Sequence, residues 1–266
     1  CKAGSAAPEV CPAGQFQNNS GQAKCQTCPE RKFCEMGTVT PVDCPAGHYC
    51  PPGTKSGTEY PCPKGTFSNR TQLQSVHECF NCTAGMYCGS EGLQAPTGPC
   101  NAGHFCRTGV SVAAPVLDQQ LGYAGKPCVD STYGDTVRGD ICPPGHYCPE
   151  GSVAPIGCPQ GYYSQSHGNG NISACEACES GFVCPVIAIV TPNVDCTAGF
   201  YCPGGQSSGS EFICPEGHFC KAGSAAPEVC PAGQFQNNSG QAKCQTCPER
   251  KFCEMGTVTP VDCPAG

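Results

Sequence analysis

An aromatic ring recurs along this chain at a fixed distance from a cysteine. From the cysteines at 11, 28, 44, 62, 82, 100, 128, 142, 158, 178, 196 and 214, a ring lies five residues on in every case but Cys178. The rings are Phe16, Phe33, Tyr49, Phe67, Tyr87, Phe105, Tyr133, Tyr147, Tyr163, Tyr201 and Phe219; after Cys178 the position is Val183, beside Phe182. A glycine sits three residues after each of these cysteines except where Arg31 and Ser131 replace it. Glycine adopts positive φ without steric penalty and closes a tight turn. The ring two residues later falls on an extended arm, where it can cover a disulfide. The pattern predicts short β-hairpins and turns with little helix.

Higher modules enclose this unit. Long cysteine-free loops run from Cys11 to Cys25, Cys62 to Cys79 and Cys158 to Cys175, and each ends in a CxxC. Residues 11–61 and 62–127 read as two cysteine-rich modules, the second with a long insertion at 107–127. Residues 128–157 form a short degenerate module without a CxxC, and 158–229 a further full one. A larger period then appears: residues 220–266 repeat residues 1–47 at all 47 positions. Residues 1–10 thus end a preceding module, and 230–266, identical to 11–47, start the next period of 219 residues. The repeated ends read either as a window on a longer tandem array or as one partial duplication.

Composition explains why sulfur must order the chain. Leu, Ile, Val and Phe number 4, 6, 17 and 11 in 266 residues, with no Trp. That is about 14%, below the roughly 20% at which chains tend to be disordered. Burial of so little apolar area does not offset the backbone entropy of one compact globule. The 29 cysteines are the alternative, since each bridge typically contributes about 2–4 kcal/mol. Such a density implies an oxidising compartment. Sequons at Asn18, Asn69, Asn81, Asn171 and Asn237 agree with a secreted or cell-surface location. The expected fold is therefore small, disulfide-rich and mostly β or irregular, an elongated rod of stacked modules that each contact their neighbours.

The stretches "CPAGQFQNNSGQAKCQTCPERKFC" and "CPKGTFSNRTQLQSVHECFNCTAGMYC" resemble the ephrin-receptor-like cysteine-rich repeat, similar in style to tumour-necrosis-factor-receptor and furin-like modules. The resemblance covers nearly the whole chain and implies a disulfide-laddered extracellular module. The pairs proposed are those across the long loops: Cys11 with Cys25, Cys62 with Cys79, Cys158 with Cys175, and Cys230 with Cys244. Spacing leaves the other pairings open. Residues 1–219 hold 23 cysteines, an odd number. The surplus falls between Cys128 and Cys148. If Cys128 takes Cys142, Cys148 is left as a buried thiol or a bridge between strands.

Other chemistry has weaker support. An isolated CxxC is half a zinc site, and these lack both a second pair and a thioredoxin-like context. His48, His104, His146 and His218 precede a ring in equivalent positions, which could bind metal or sense pH; Gln15, Thr66, Met86 and Phe200 fill the same slot elsewhere. The Arg138–Asp140 "RGD" would matter only on an exposed loop tip. Asp130, Asp135 and Asp140 lack EF-hand spacing. No catalytic motif or phosphate loop stands out, so no enzyme, cofactor or metal is expected. A net charge of −7 without a basic cluster disfavours nucleic acid, and the longest apolar run, from Val183, is too short for a membrane span. Val186, Ile187, Ile189 and Val190 form a candidate contact patch. The leading reading is a structural extracellular glycoprotein, a filament or surface stalk that self-associates along and between fibrils and carries N-glycans. The competing reading is a receptor or adhesin ectodomain presenting loops to a ligand.

Overall fold

The computed structural model describes residues 10–116 and 139–264. Among them are 12 antiparallel sheets, each a single two-stranded hairpin, and no α-helix. Two single turns of 3-10 helix, Val76–Glu78 and Ile172–Ala174, complete the regular structure. The chain divides into two compact units: residues 1–141 with 149–154, and residues 142–148 with 155–266. The expected class, a disulfide-rich chain of short hairpins with little helix, is the one observed.

The first hairpin shows why the strands are so short. Gly14 has φ 82° and lets the Gln15 N–H donate to the Pro12 carbonyl at 3.1 Å. Gln15 and Phe16 then pair with Thr27 and Gln26. The next cysteine closes the unit, with the Cys28 N–H donating to the Gly14 carbonyl at 2.8 Å. This hairpin is thus sealed by the first residue of its successor, as most of the others are. Cys158, Cys178, Cys196, Cys214 and Cys230 do the same in the second unit, each donating to the preceding turn glycine.

Two kinds of hairpin alternate irregularly. In the commoner kind the two cysteines lie six residues apart, as in Cys28–Cys34, Cys44–Cys50, Cys82–Cys88, Cys100–Cys106, Cys178–Cys184, Cys196–Cys202, Cys214–Cys220 and Cys247–Cys253. In the other kind the second cysteine is replaced by Gln17, Ser68, Ser164 or Gln236. The first cysteine then reaches across a longer loop, giving Cys11–Cys25, Cys62–Cys79, Cys158–Cys175 and Cys230–Cys244. The replacing side chain ties that loop by hydrogen bonds. Gln17 Nε2 donates to the Lys24 carbonyl at 2.7 Å, Gln236 Nε2 to that of Lys243 at 2.8 Å, and Ser164 Oγ accepts from Asn169 Nδ2 at 2.8 Å.

The Cys128 region differs from the sequence expectation. Cys142 is bonded to Cys148, so Cys148 is not the surplus cysteine and Cys142 is not taken by Cys128. Gly145, with φ 75°, supplies the usual turn and brings the two Cα atoms to 5.9 Å, within bridging range. Cys128 itself lies outside the described residues.

Stacking follows one rule inside each unit. In the first, Cys34 N–H donates to the Thr54 carbonyl at 3.0 Å and Gly53 N–H to that of Cys28 at 2.9 Å. In the second, Cys202 N–H donates to Ser224 and Gly223 N–H to Cys196, both at 2.9 Å. Gly53 and Gly223 belong to a second set of glycines, three residues after the closing cysteine. This set also touches the hairpin two steps back. A Cβ on Gly14 would lie 2.4 Å from the Gly53 oxygen, and one on Gly217 would lie 2.6 Å from that of Gly256. Backbone therefore packs on backbone with no room for a side chain.

The core is sulfur and rings, and most of its buried apolar residues are cysteines. Tyr87 and Tyr163 each cover the bridge of the following hairpin rather than of their own. Tyr87 packs on Cys100 and Cys106 together with Val110, and Tyr163 on Cys178 and Cys184. Val183, the one position without a ring, serves the same purpose against Cys196 and Cys202, helped by Phe200.

Candidate functional site

Among the described residues, four other than glycine have positive φ: Arg31, Gln72, Ala188 and Arg250. For such residues this region costs roughly 1–2 kcal/mol, so each calls for a compensating contact. Arg31 occupies a turn-glycine position and Gln72 a loop position two hairpins on. Instead of a bare glycine touching a loop carbonyl, Arg31 Nη1 donates to the Gln72 carbonyl at 2.7 Å. Its guanidinium also reaches Glu78, with Nη2 2.9 Å from Oε1 and Nη1 3.3 Å from Oε2. Gln74 N–H donates to Glu78 Oε2 at 2.7 Å. That backbone bond, followed by Arg31, holds the Glu78 carboxyl below the usual carboxylate range despite partial burial. Gln72 Nε2 donates to Asp43 Oδ2 at 2.7 Å, and Lys32 pairs with the same carboxylate. Hydrogen bonds from Lys32 and Gln72 lower the Asp43 pKa as well. This polar clasp fastens the long Cys62–Cys79 loop to the hairpin two steps before it.

A second polar cluster lies in the other unit. The Tyr163 hydroxyl is 3.1 Å from Glu179 Oε1 and 3.2 Å from Glu176 Oε2. Burial, then Glu179 and Glu176, push its pKa up to about 12.

All five sequon asparagines are exposed. Asn18, Asn69 and Asn237 lie two residues after Phe16, Phe67 and Phe235, in loops spanned by the longer bridges. Asn171 occupies the Cys158–Cys175 loop, where its Oδ1 accepts from Ser173 N–H at 3.1 Å and caps the 3-10 turn. Asn81 differs in ending the Phe80–Asn81 strand, just before the buried Cys82 of the Cys82–Cys88 bridge.

The paired cysteines of each CxxC go to different partners. Cys25 bonds Cys11 while Cys28 bonds Cys34, and the same division holds for Cys79 and Cys82, and for Cys175 and Cys178. Every one of these thiols is committed to a bridge. The equivalent histidines serve the turn: Nδ1–H of His48, His146 and His218 donates to the carbonyl two residues back, in Ala46, Pro144 and Glu216. His104 Nδ1 is buried without a partner.

Gly139 and Asp140 of the "RGD" stretch do not lie at an exposed loop tip. Gly139 and Asp140 pair with Cys106 and Phe105 and are buried, while Asp140 Oδ1 accepts from Ile141 N–H at 2.8 Å. Arg138, Asp130 and Asp135 lie outside the described residues. The apolar patch divides in two. Ile189 turns inward against Tyr163, Cys178 and Cys184, whereas Val186, Ile187 and Val190 are exposed. Ala188, with φ 61°, reverses the chain between them.

Sequence reasoning noticed Arg31 only as a departure from glycine and missed its partner Gln72. It also missed the second glycine set, whose signal stands in the repeated "CEMGT", "CPPGT", "CPEGS" and "CKAGS".

These observations define a tandem array of small disulfide-bonded hairpin modules, which requires an oxidising compartment to fold. No helix among the described residues is long and apolar enough to cross a membrane. No family model matches the chain. It is 30% identical over 121 residues to putative white-brown complex homolog protein 30 of Arabidopsis thaliana, covering 38% of this chain and 11% of that protein. It is 31% identical over 112 residues to the sushi, von Willebrand factor type A, EGF and pentraxin domain-containing protein 1 of Mus musculus, covering 40% and 3%. A third match, ABC transporter G family member 28 of Arabidopsis thaliana, is 33% identical over 101 residues, covering 32% and 9%. The chain thus spans 11% or less of these relatives.

Proposed function

We propose that this chain is a structural extracellular glycoprotein, a segment of a filament or cell-surface stalk built from tandem 219-residue repeats of the ephrin-receptor-like kind. One observation carries the reading: successive hairpins within each unit dock by the same hydrogen bonds, so the array has no intrinsic stopping point. A repeat with such an interface extends by adding copies of itself. The role is mechanical and non-enzymatic, with covalent bridges in place of an apolar core. Exposed sequon asparagines support a coat of N-glycans over a surface with few charges. Local similarity to small portions of long proteins, one named for its sushi, EGF and pentraxin domains, supports a modular building block.

A second reading, a receptor or adhesin ectodomain, draws on the exposed Val186, Ile187 and Val190. Electron microscopy of the native material separates the two. Long uniform filaments are expected for the structural role, and short separate rods would overturn it in favour of the ectodomain. Digestion with an N-glycosidase is expected to lower the mass of the native protein, and an unchanged mass would remove the glycan coat from the proposal.

A further inference from the structure

Asn69 differs from the other sequon asparagines in what stands beside it. The hairpin it follows carries a ring on each strand, because Phe67 pairs with Phe80 across the register. Their centroids lie 6.1 Å apart. The equivalent rings Phe16 and Phe235 face Gln26 and Gln245 instead. Neither ring of the Phe67–Phe80 pair is fully covered: Phe67 is half-buried, and Phe80 is 38% exposed. Asn81 also adjoins Phe80, but it is the next residue of the same strand and so lies on the opposite face.

The sequon folds back over these rings. Ser68 is buried where many hairpins have their second cysteine, and its Oγ accepts from the Arg70 N–H at 3.1 Å. That turn carries Arg70 over Phe80, its guanidinium carbon 4.9 Å from the ring centroid. Asn69 stands exposed between Ser68 and Arg70, and its side chain has no hydrogen bond among the described residues. Its amide nitrogen is therefore open to modification, with a partly bare aromatic pair next to it. The negative face of an aromatic ring attracts groups of positive partial charge. The C–H face of a pyranose ring is such a group, and it is apolar enough to gain by leaving water.

We propose that Asn69 carries an N-glycan whose first N-acetylglucosamine lies on the Phe67–Phe80 pair, so that a sugar completes the cover of this hairpin. The proposal rests on the glycoprotein reading and deepens it from a hydrated coat to a packing element. In the transfer step Asn69 Nδ2 gives up one proton and bonds to C1 of the sugar of a diphospholipid-linked oligosaccharide. The C1–O bond breaks, and the diphospholipid leaves with the electron pair. Arg70 holds part of Phe80, and the sugar takes the part of the ring pair left open. Phe16 and Phe235, without a ring opposite, offer the glycans of Asn18 and Asn237 a smaller platform.

The test uses the 266-residue chain secreted from a eukaryotic cell. Mass spectrometry of its peptides is expected to find sugar on Asn69. Amide exchange is then followed at Cys82, whose N–H donates to the Gly65 carbonyl and closes this hairpin. Trimming the glycan to its first sugar with an endoglycosidase is expected to leave that exchange unchanged. Asn69→Gln and Thr71→Ala, two separate ways of losing the sequon, should each accelerate it about 5-fold. In a Phe80→Leu background, which spares the more buried ring, the same two changes should have less than about half of that effect. Sugar protons shifted upfield by the rings, and lost in Phe80→Leu, would be the direct signature. An Asn69 without sugar would overturn the proposal, as would exchange indifferent to loss of the sequon or a full effect persisting in Phe80→Leu. Sugar on Asn69 without these effects would leave the glycan coat standing and sink the packing role. A chain bare at every sequon would remove both.

Discussion

Arg31 and Gln72, 41 residues apart in sequence, meet through a 2.7 Å hydrogen bond and share a backbone region in which glycine is the usual residue. Each occupies a position filled by glycine in most other hairpins. The pair therefore replaces a contact between two bare backbones by one between a guanidinium and a carbonyl. Replacing Arg31 by Ala keeps the positive φ and discards the bond, at an expected cost of about 1–2 kcal/mol. Arg31→Gly recovers the conformational part and should cost about 1 kcal/mol less than Arg31→Ala. Amide exchange at Gln72, which donates to the Cys44 carbonyl, measures both.

The same clasp should weaken in acid. Glu78 has its pKa depressed in the folded chain, chiefly by the Gln74 N–H and then by Arg31. A depressed carboxyl contributes stability above its unfolded value, about 4.3, and loses it as pH falls through the lower folded value. Protection at Gln74 N–H is expected to be flat from neutral pH to about 5 and to fall below about 4. Glu78→Gln should abolish that acid-dependent step, leaving a uniformly weaker clasp.

Two turn glycines should respond differently to one methyl group. Gly14 and Gly21 both have positive φ, 82° and 80°, so alanine meets the conformational cost at either. Gly14 has a carbonyl oxygen where the methyl group would go, and Gly21 has nothing within 4 Å. Gly14→Ala is expected to be the more destabilising by about 1–3 kcal/mol, measured by amide exchange in that unit.

Tyr163 should ionise well above the usual tyrosine range. Its folded pKa is raised to about 12 by burial and the two glutamates. The protonated phenol thus contributes stability that is complete below the unfolded value, about 10, and is lost as pH rises toward 12. Ultraviolet titration should show a phenolate appearing late, and Tyr163→Phe should remove the contribution near pH 12.

Non-reducing peptide mapping is expected to recover Cys142 linked to Cys148. A peptide joining Cys128 to Cys142 would contradict the described connectivity. Replacing Cys142 by Ala should leave Cys148 reactive to alkylation and destabilise its hairpin by about 2–4 kcal/mol.

The single hairpin was readable from sequence because its determinants are local: a turn glycine, a ring two residues later, and a cysteine on each side. Tyr87 and Phe16 could be placed on strands from spacing alone. The partner of each ring could not, because Tyr87 covers the Cys100–Cys106 bridge of the next hairpin. The role of Gly53 was equally hidden, since its constraint comes from Gly14 two hairpins earlier. Cys148 was misplaced for a related reason. Counting cysteines shows that one is surplus but not which, whereas the Gly145 turn makes Cys142 and Cys148 neighbours. Arg31 carried the one visible hint of the polar clasp, a charged residue where a glycine was due.

Among the described residues no bridge spans more than 17 positions, and most hairpins are sealed by the first cysteine of their successor. A chain so arranged can mature in the order in which it is synthesised. Each thiol finds its mate while few competitors have yet emerged into the oxidising lumen, and each newly arrived cysteine locks what came before it. Array length then adds little to the search among alternative pairings, so a very long product can be made with the same fidelity as a short one.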